Sequence, residues 1–530
     1  MRRVGSSIRW MFATALIASL VAALSPNSAT AGTEAMTLRV MTFNIFYGGD
    51  EADLEHGRWC YEPFGCRETL DKVIDSIRAS GADIVGLQEG TANAPLIAER
   101  LGWDVNERLQ VVSRYPLIDP PGGDGTYVFA RVAPGRYVAV ANVHLTSDPY
   151  GPYLVRDGAR LDRVLALERR LRLPEVSAHV RELPDLAAAG IPVFMTGDFN
   201  SPSYLDWTEE VAAVREVVRY PVVWPVSKAL ADAGLRDSYR EAHPDPVTTP
   251  GFTWTPPGTL ESVPNEVHDR IDWVLTAGQT TTLASRIVGE VGGPDVDIGM
   301  DPYPSDHRGV VSTFRVTPGD PAPFAAVDER RVFAGERLRV HFHGTGTTGE
   351  RIAVTPAGAS PSAAIAARST AGDPDGAVAF GTNKWAPGTY DAALVAGDGS
   401  VRSRSRMWVY AASAQPRVWT SKDVYAPREP IDVSWSAAPG YKWDWLGLYR
   451  AGRAPEPIVE ECTGGYCGNL HYLIYTYTGA SIEGTTRFDR YSSKVGYTDW
   501  PLGPGRYRVR LLLDDGYKLV AISARFRIVR

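Results

Sequence analysis

The chain has 530 residues, with 44% hydrophobic and 22% charged residues and a formal net charge of −7. That length is too great for one core, so about two to four domains are expected. The composition is ordinary for a globular protein, and the acidic balance argues against a protein that coats nucleic acid by bulk charge while leaving a local basic groove open.

The N-terminus reads as an export signal. Arg2, Arg3 and Arg9 form a basic region, Met11 to Leu24 an apolar one, and Ala29-Thr30-Ala31 a small-x-small cleavage site before Gly32. A signal peptide over 1–31 and a secreted, extracellular protein are expected, with a retained N-terminal anchor as the alternative. The four cysteines form two close pairs, Cys60/Cys66 and Cys462/Cys467. In an exported chain this pattern predicts two short disulfides, since neither pair has the CxxC spacing of a zinc site.

From about Met36 to Val316 strand and helix signals mix. Thr37–Phe46, Asp83–Gln88, Tyr137–Leu145, Val193–Phe199 and Arg270–Leu275 read as strands, and Leu70–Ala79 and Leu161–Leu171 have helical spacing. This predicts an α+β or α/β domain of enzyme size over 36–316. After PGDPAPFAAVDER, read as a linker, helix signals nearly vanish. Two similar blocks follow, 329–412 and 416–530, joined by AASAQP. In each a Trp is followed by Pro, Gly and Tyr, then an alternating strand and an Asp-Gly turn. They are expected to be diverged copies of one β-sandwich (Ig-like) module.

Polar residues recur where apolar strands of the first domain end. MTFNI carries Asn44, DIVGLQE ends at Glu89, VAVANVHL carries His144, and VFMTGDFN ends in Asp198 and Asn200. HDRIDWVL holds Asp272 between apolar residues, and YPSDHRG gives Asp306 and His307 before a last strand. Each has a plainer reading alone. Asn44 and Asp306 could cap turns, Glu89 could be solvated, His144 could be a satisfied core histidine, Asp272 could pair with Arg270, and DFN could form an Asx-turn. Together they supply what phosphate-ester hydrolysis requires: hard oxygen ligands, a group that orients water and donors for phosphoryl oxygens.

The order N-I, Q-E, H-L, G-D-F-N, R-I-D, S-D-H resembles that of the endonuclease/exonuclease/phosphatase superfamily, over about residues 36–316. VVSRYPL is similar to a further segment common there. The resemblance implies a four-layer α/β sandwich with two facing sheets. It implies Glu89 as the main Mg²⁺ ligand, with Asn44 and Asp306 close to the metal and Mn²⁺ or Ca²⁺ as alternative ions. It further implies that Asp198 positions or deprotonates water, that Asn200 contacts the phosphoryl group, that His144 and His307 donate to phosphate oxygens, and that Asp272 orients His307. In the second C-terminal block, DWLGLYRAG resembles a signature of SKICH-type β-sandwich domains, while Trp445, Leu446 and Leu448 read first as sandwich core.

Two features bear on substrate. An insert between the first strand and helix, FYGGDEADLEHGRWCYEPFGCRETL, carries Trp59, Tyr61 and Phe64, which form either an aromatic lip or a self-covering loop, and Tyr150, Tyr153 and Arg156 are expected near the same rim. The acidic residues Asp50, Glu51, Asp53 and Glu55 disfavour a polyanion. The expected substrate is therefore a small, headgroup or lipid-linked phosphate mono- or diester. An extracellular deoxyribonuclease or ribonuclease is the alternative, and a non-catalytic binding protein on this scaffold stands behind both. The tandem modules are expected either to hold the enzyme to cell wall, glycan or membrane or to serve as spacers.

Overall fold

The computed structural model describes residues 34–60, 66–255, 266–452, 472–489 and 500–530. The predicted signal segment, Tyr61, Phe64, Cys462 and Cys467 lie outside them. Cys60 and Cys66 are bonded to each other.

Two large sheets carry the site. The seven-stranded sheet runs Val296–Met300, Thr280–Glu290, Gly309–Val316, Met36–Asn44, Ile84–Gln88, Val111–Ser113, Asp104–Asn106. The six-stranded sheet runs Arg236–Asp237, Asp272–Ala277, Val193–Asp198, Arg136–His144, Val128–Ala133, Leu117–Ile118. Their central strands are buried along their whole length, which is why they read as continuous apolar runs rather than alternating ones. Val40, Ile84, Val128, Val140, Phe194, Val274 and Phe314, drawn from both sheets, form one shared core.

Helices cover the opposite faces. Helix Arg67–Ser80 buries Leu70, Val73, Ile74 and Ile77, spaced to fall on one face, against Met41, Phe43, Val85 and Leu87. It stops at Gly81, whose left-handed φ of 68° lets its N–H return to the Arg78 carbonyl. On the other side Leu183, Val226 and Leu230 pack against Val193, Met195 and Leu275. The result is an α+β catalytic region.

The segment read as a linker is structured. Phe324–Val327 is a strand paired with Arg337–His343, and Phe324 packs with Phe129 and Tyr137 of the catalytic region. Its prolines mask a short apolar run that still finds a sheet edge. Beyond it the chain is β-rich. Each C-terminal block has a three-stranded sheet beside a larger one, five-stranded in the first block and six-stranded in the second, around its own core. One bond recurs in the two blocks. Tyr390 donates its hydroxyl to the Ala386 carbonyl at 2.8 Å, and Tyr507 donates to Gly503 at 2.6 Å, four residues back in both cases. Ala35 to Arg530 cluster as one unit, and no helix among the described residues is long and apolar enough to cross a membrane.

Candidate active site

Register brings the strand-end residues together. Met36–Asn44 and Ile84–Gln88 run parallel with Asn44 opposite Gln88, so Glu89 follows at the same level. In the other sheet His144 is opposite Asp198, and Asp198 is opposite Asp272. Asp306 and His307 enter on the loop before Gly309–Val316. That loop is tied down by Ser305, which donates to the Asn44 carbonyl at 2.7 Å and accepts from the His307 amide at 3.1 Å.

Asp198 stands at the centre. Its Oδ2 accepts from Asn44 Nδ2 at 3.1 Å and lies 3.6 Å from His144 Nε2 and 3.7 Å from His307 Nε2. Asn44 Nδ2 also reaches Glu89 Oε1 at 3.2 Å. Each histidine is held through its other nitrogen. His307 Nδ1 is 2.9 Å from Asp272 Oδ2, and His144 Nδ1 is 2.6 Å from Asp515 Oδ2. Ionised carboxylates only accept, so both Nδ1 atoms carry protons and both Nε2 atoms face Asp198.

Asn200 is not on the strand. The strand ends at Asp198, and Asn200 turns with φ 46°, its amide donating to Asp198 Oδ1 at 2.9 Å and its Nδ2 to the Leu145 carbonyl at 3.0 Å. The Asx-turn and the site assignment therefore coexist, since the turn aims Asp198. Phe199 between them stacks on Trp273 with centroids 4.1 Å apart, inside the core. Asp272 does not pair with Arg270, which is bound to Asp206 and Asp237.

The electrostatics fit a bound cation. Burial pushes Asp306 up to about 8, with Glu89 and Asp198 adding to the rise against the opposing pull of His307. Asp272 is also raised by burial, which His307 offsets. Asp306 Oδ1 and Asp272 Oδ1 are buried without a hydrogen-bond partner. Asp198, Asp272 and His307 additionally present ligand atoms within 4.8 Å of one another. Crowded carboxylates with unused buried oxygens suit a hard divalent ion. For His144, burial lowers the pKa, but Asp515, then Asp198 and Glu89, hold it at about 10. His307 is likewise held well above the ordinary value by Asp272 and Asp198, against burial.

Beneath the site a buried polar network pins the two sheets. Gln88 Nε2 donates to Asn142 Oδ1 at 2.7 Å, Thr196 Oγ1 donates to the same oxygen at 2.9 Å, and Asn142 Nδ2 donates to the Leu87 carbonyl at 2.6 Å. Gly86 leaves the room: a Cβ there would lie 1.9 Å from Thr196 Oγ1.

The rim differs from expectation. Tyr150 is buried, with its hydroxyl on Asp269 at 2.9 Å. Tyr153 bonds Glu266 at 3.0 Å and carries Arg156 over its ring. The proposed lip of Trp59, Tyr61 and Phe64 falls on side chains outside the described ones. Instead, the opening beside Glu89 and His144 is walled by Trp445, Tyr472, Tyr475, Tyr477 and Tyr517 of the second C-terminal block, together with Asp515. Nothing in their spacing marked these residues, since a hairpin turn and a strand face carry no sign of which domain they meet.

Residues 41–307 match the Endonuclease/Exonuclease/phosphatase family, and the chain belongs to it. The members of that family are metal-dependent phosphoesterases and nucleases. The chain is 28% identical over 305 residues to an uncharacterized protein of Caenorhabditis elegans, a match that covers 52% of this chain and 91% of the relative. Among solved structures it is similar to an endonuclease/exonuclease/phosphatase from Beutenbergia cavernae (18% identity, 70% of this chain and 99% of that one, TM-score 0.31). It is also similar to D. rerio TDP2 complexed with single-strand DNA product (15% identity, 53% and 99%, TM-score 0.33).

Proposed function

We propose that this protein is a secreted, divalent-metal-dependent phosphoesterase that hydrolyses a small, headgroup or lipid-linked phosphate mono- or diester by in-line attack of water. The observation that carries the reading is the pair of carboxylate-tethered imidazoles whose Nε2 atoms converge on Asp198, beside Glu89 and Asp306. The α+β catalytic region is read as the four-layer arrangement of the family, and 329–412 and 416–530 as β-sandwich modules.

Glu89, Asp306 and Asn44 are the residues that would hold the ion, with Mg²⁺ the first candidate. A divalent ion there would neutralise phosphoryl charge and act as a Lewis acid. Asp198 accepts a hydrogen bond from the attacking water and orients it. His144 and His307, each fixed through Nδ1, donate from Nε2 to the phosphoryl oxygens as charge builds, without reorganising. Asp272 keeps the His307 ring in place. Asn200 contacts the phosphoryl group while its turn holds Asp198.

The rim favours a compact substrate. The opening beside Glu89 and His144 has a volume of about 140 Å³, and among the described residues its lining contains aromatic and acidic side chains but no Lys or Arg. A duplex needs several cationic contacts to its phosphates.

The test is hydrolysis of bis(p-nitrophenyl) phosphate and p-nitrophenyl phosphate by the mature protein, with plasmid nicking alongside. Turnover that requires Mg²⁺ and is lost in chelator and in His307→Ala supports the reading. Full activity in excess chelator sinks it, and efficient nicking moves the substrate to nucleic acid.

A further inference from the structure

The catalytic region does not contain every group that shapes its own active site. His144 is tethered by Asp515, which lies 371 residues further along the chain and far beyond the stretch that matches the family. The contact is short, at 2.6 Å, and both side chains are largely shielded from solvent, at 13% and 14% exposure. A hydrogen bond of that length to an ionised partner is among the stronger kinds.

The second C-terminal block is built to deliver this carboxylate. Asp515 sits in the turn Leu513–Gly516 that joins Gly505–Leu512 to Leu519–Ile522. Asp514 and Asp515 have φ of 46° and 62°, and the Gly516 amide closes the turn on the Leu513 carbonyl at 2.8 Å. Two consecutive left-handed residues define the hairpin turn that matches strand twist, a place usually taken by Asn-Gly or Asp-Gly. Asp tolerates this conformation, and contacts to its neighbours hold it here. Those contacts are visible. Tyr477 donates its hydroxyl to Asp515 Oδ1 at 2.8 Å, which leaves Oδ2 for His144, and the Asp515 amide donates to the Trp443 carbonyl at 2.9 Å.

The same block is locked onto the catalytic region around this contact. Lys442 Nζ donates to the Asn142 carbonyl at 2.6 Å, and Trp443 Nε1 donates to the carbonyl of His144 itself at 3.3 Å. From the other side Arg108 donates to the carbonyls of Gly440 at 3.0 Å and Ala480 at 3.1 Å. Asp444 joins the two loops: it accepts from the amides of Gly440 and Tyr441 through Oδ2 and from the Asp514 amide through Oδ1. The Asp of the DWLG sequence therefore organises the docking surface, while Leu446 and Leu448 fill the sandwich core.

We propose that the second C-terminal module is an integral part of the active site and that Asp515 is a positioning residue for catalysis, fixing the ring and tautomer of His144 as Asp272 does for His307. This rests on the phosphoesterase reading above. It makes the module neither a spacer nor a separate anchor, and it implies that the catalytic region alone lacks one of its two paired imidazoles.

Asp515→Asn in the full-length mature protein is the discriminating variant. Asn is the non-glycine residue best suited to a left-handed turn, so the hairpin is retained while the anionic acceptor is lost. The first readout is proton NMR of the wild type, Asp515→Asn and His144→Ala. A far-downfield imidazole N–H resonance is expected to vanish in both variants, and persistence in Asp515→Asn would overturn the pairing. The second is steady-state hydrolysis of bis(p-nitrophenyl) phosphate. We expect kcat to fall about 10–100-fold with KM within a factor of two, as for other residues that orient a functional histidine. Unchanged kcat in Asp515→Asn, with an active wild type, would overturn the catalytic role. A wild type without metal-dependent turnover on any phosphate ester would instead bring down the parent reading, and this inference with it.

Discussion

Asn44 and Asp198 belong to different sheets and meet in a 3.1 Å hydrogen bond from Nδ2 to Oδ2 at the mouth of the site. The same amide reaches Glu89, so one side chain sets the spacing between the carboxylate proposed to bind the ion and the one proposed to orient water. Asn44→Ala should weaken metal binding by about 10–100-fold. A Mg²⁺ titration of activity gives the value, and an unchanged midpoint would remove Asn44 from the metal site.

Asp272 and His307 act as a unit. Asp272→Asn, which reverses the preferred tautomer, should lower kcat by about 10³–10⁴-fold. The double variant with His307→Ala should be little worse than His307→Ala alone. Additive losses would show that Asp272 works through some group other than the imidazole.

Two buried bases respond to pH in opposite directions. His144 is raised to about 10 from 6.5. Its contribution to stability is complete below about 6.5 and is lost as pH rises through about 10. Burial lowers Lys442 to about 7 from 10.5. Its protonation penalises the folded state fully below about 7, and that penalty fades as pH rises to 10.5. Over the shared window the two trends offset each other. Lys442→Met removes the second, so melting temperature should fall more steeply from pH 7 to 10 than in the wild type. Parallel curves would contradict the assignment.

Arg108 is buried between Asp119 and the carbonyls of Gly440 and Ala480. Arg108→Ala should cost about 3–5 kcal/mol, the usual result of removing one partner of a buried pair. Because it also frees the loops that flank Asp515, activity should drop although Arg108 touches no site residue. Urea unfolding paired with kinetics separates the two effects.

Gly86 faces Thr196 and Asn142 across the inter-sheet space. Gly86→Ala should destabilise by about 1–3 kcal/mol, because sheet separation at the site end cannot relax around a methyl group. Thermal unfolding would show it, and a neutral substitution would mean that the sheets yield.

The legible parts of the site were those where a polar residue interrupts an apolar run. Asn44, Glu89, His144, Asp198 and Asp272 all announce themselves this way, and parallel and antiparallel register then brings them to one end. Asn200 was legible as a residue but not in geometry, because a positive φ at a non-glycine is set by the Asp198 acceptor rather than by propensity. The Gln88–Asn142–Thr196 network escaped notice because each member looks like an ordinary polar residue in a strand. Asp515 escaped for a different reason. Its turn was readable from Asp-Gly, but turn chemistry says nothing about what the turn touches. The PAPFAAV segment misled in the opposite direction, its prolines outweighing four residues that form a strand.

The His144–Asp515 contact closes a loop of 371 residues. A ribosome delivers His144 long before Asp515, and contacts this distant in sequence form late because their loop-closure entropy must first be offset by local structure. During synthesis His144 therefore stays without this partner until nearly all of the described chain has emerged. Products that stop short of Asp515 would lack the carboxylate that holds His144.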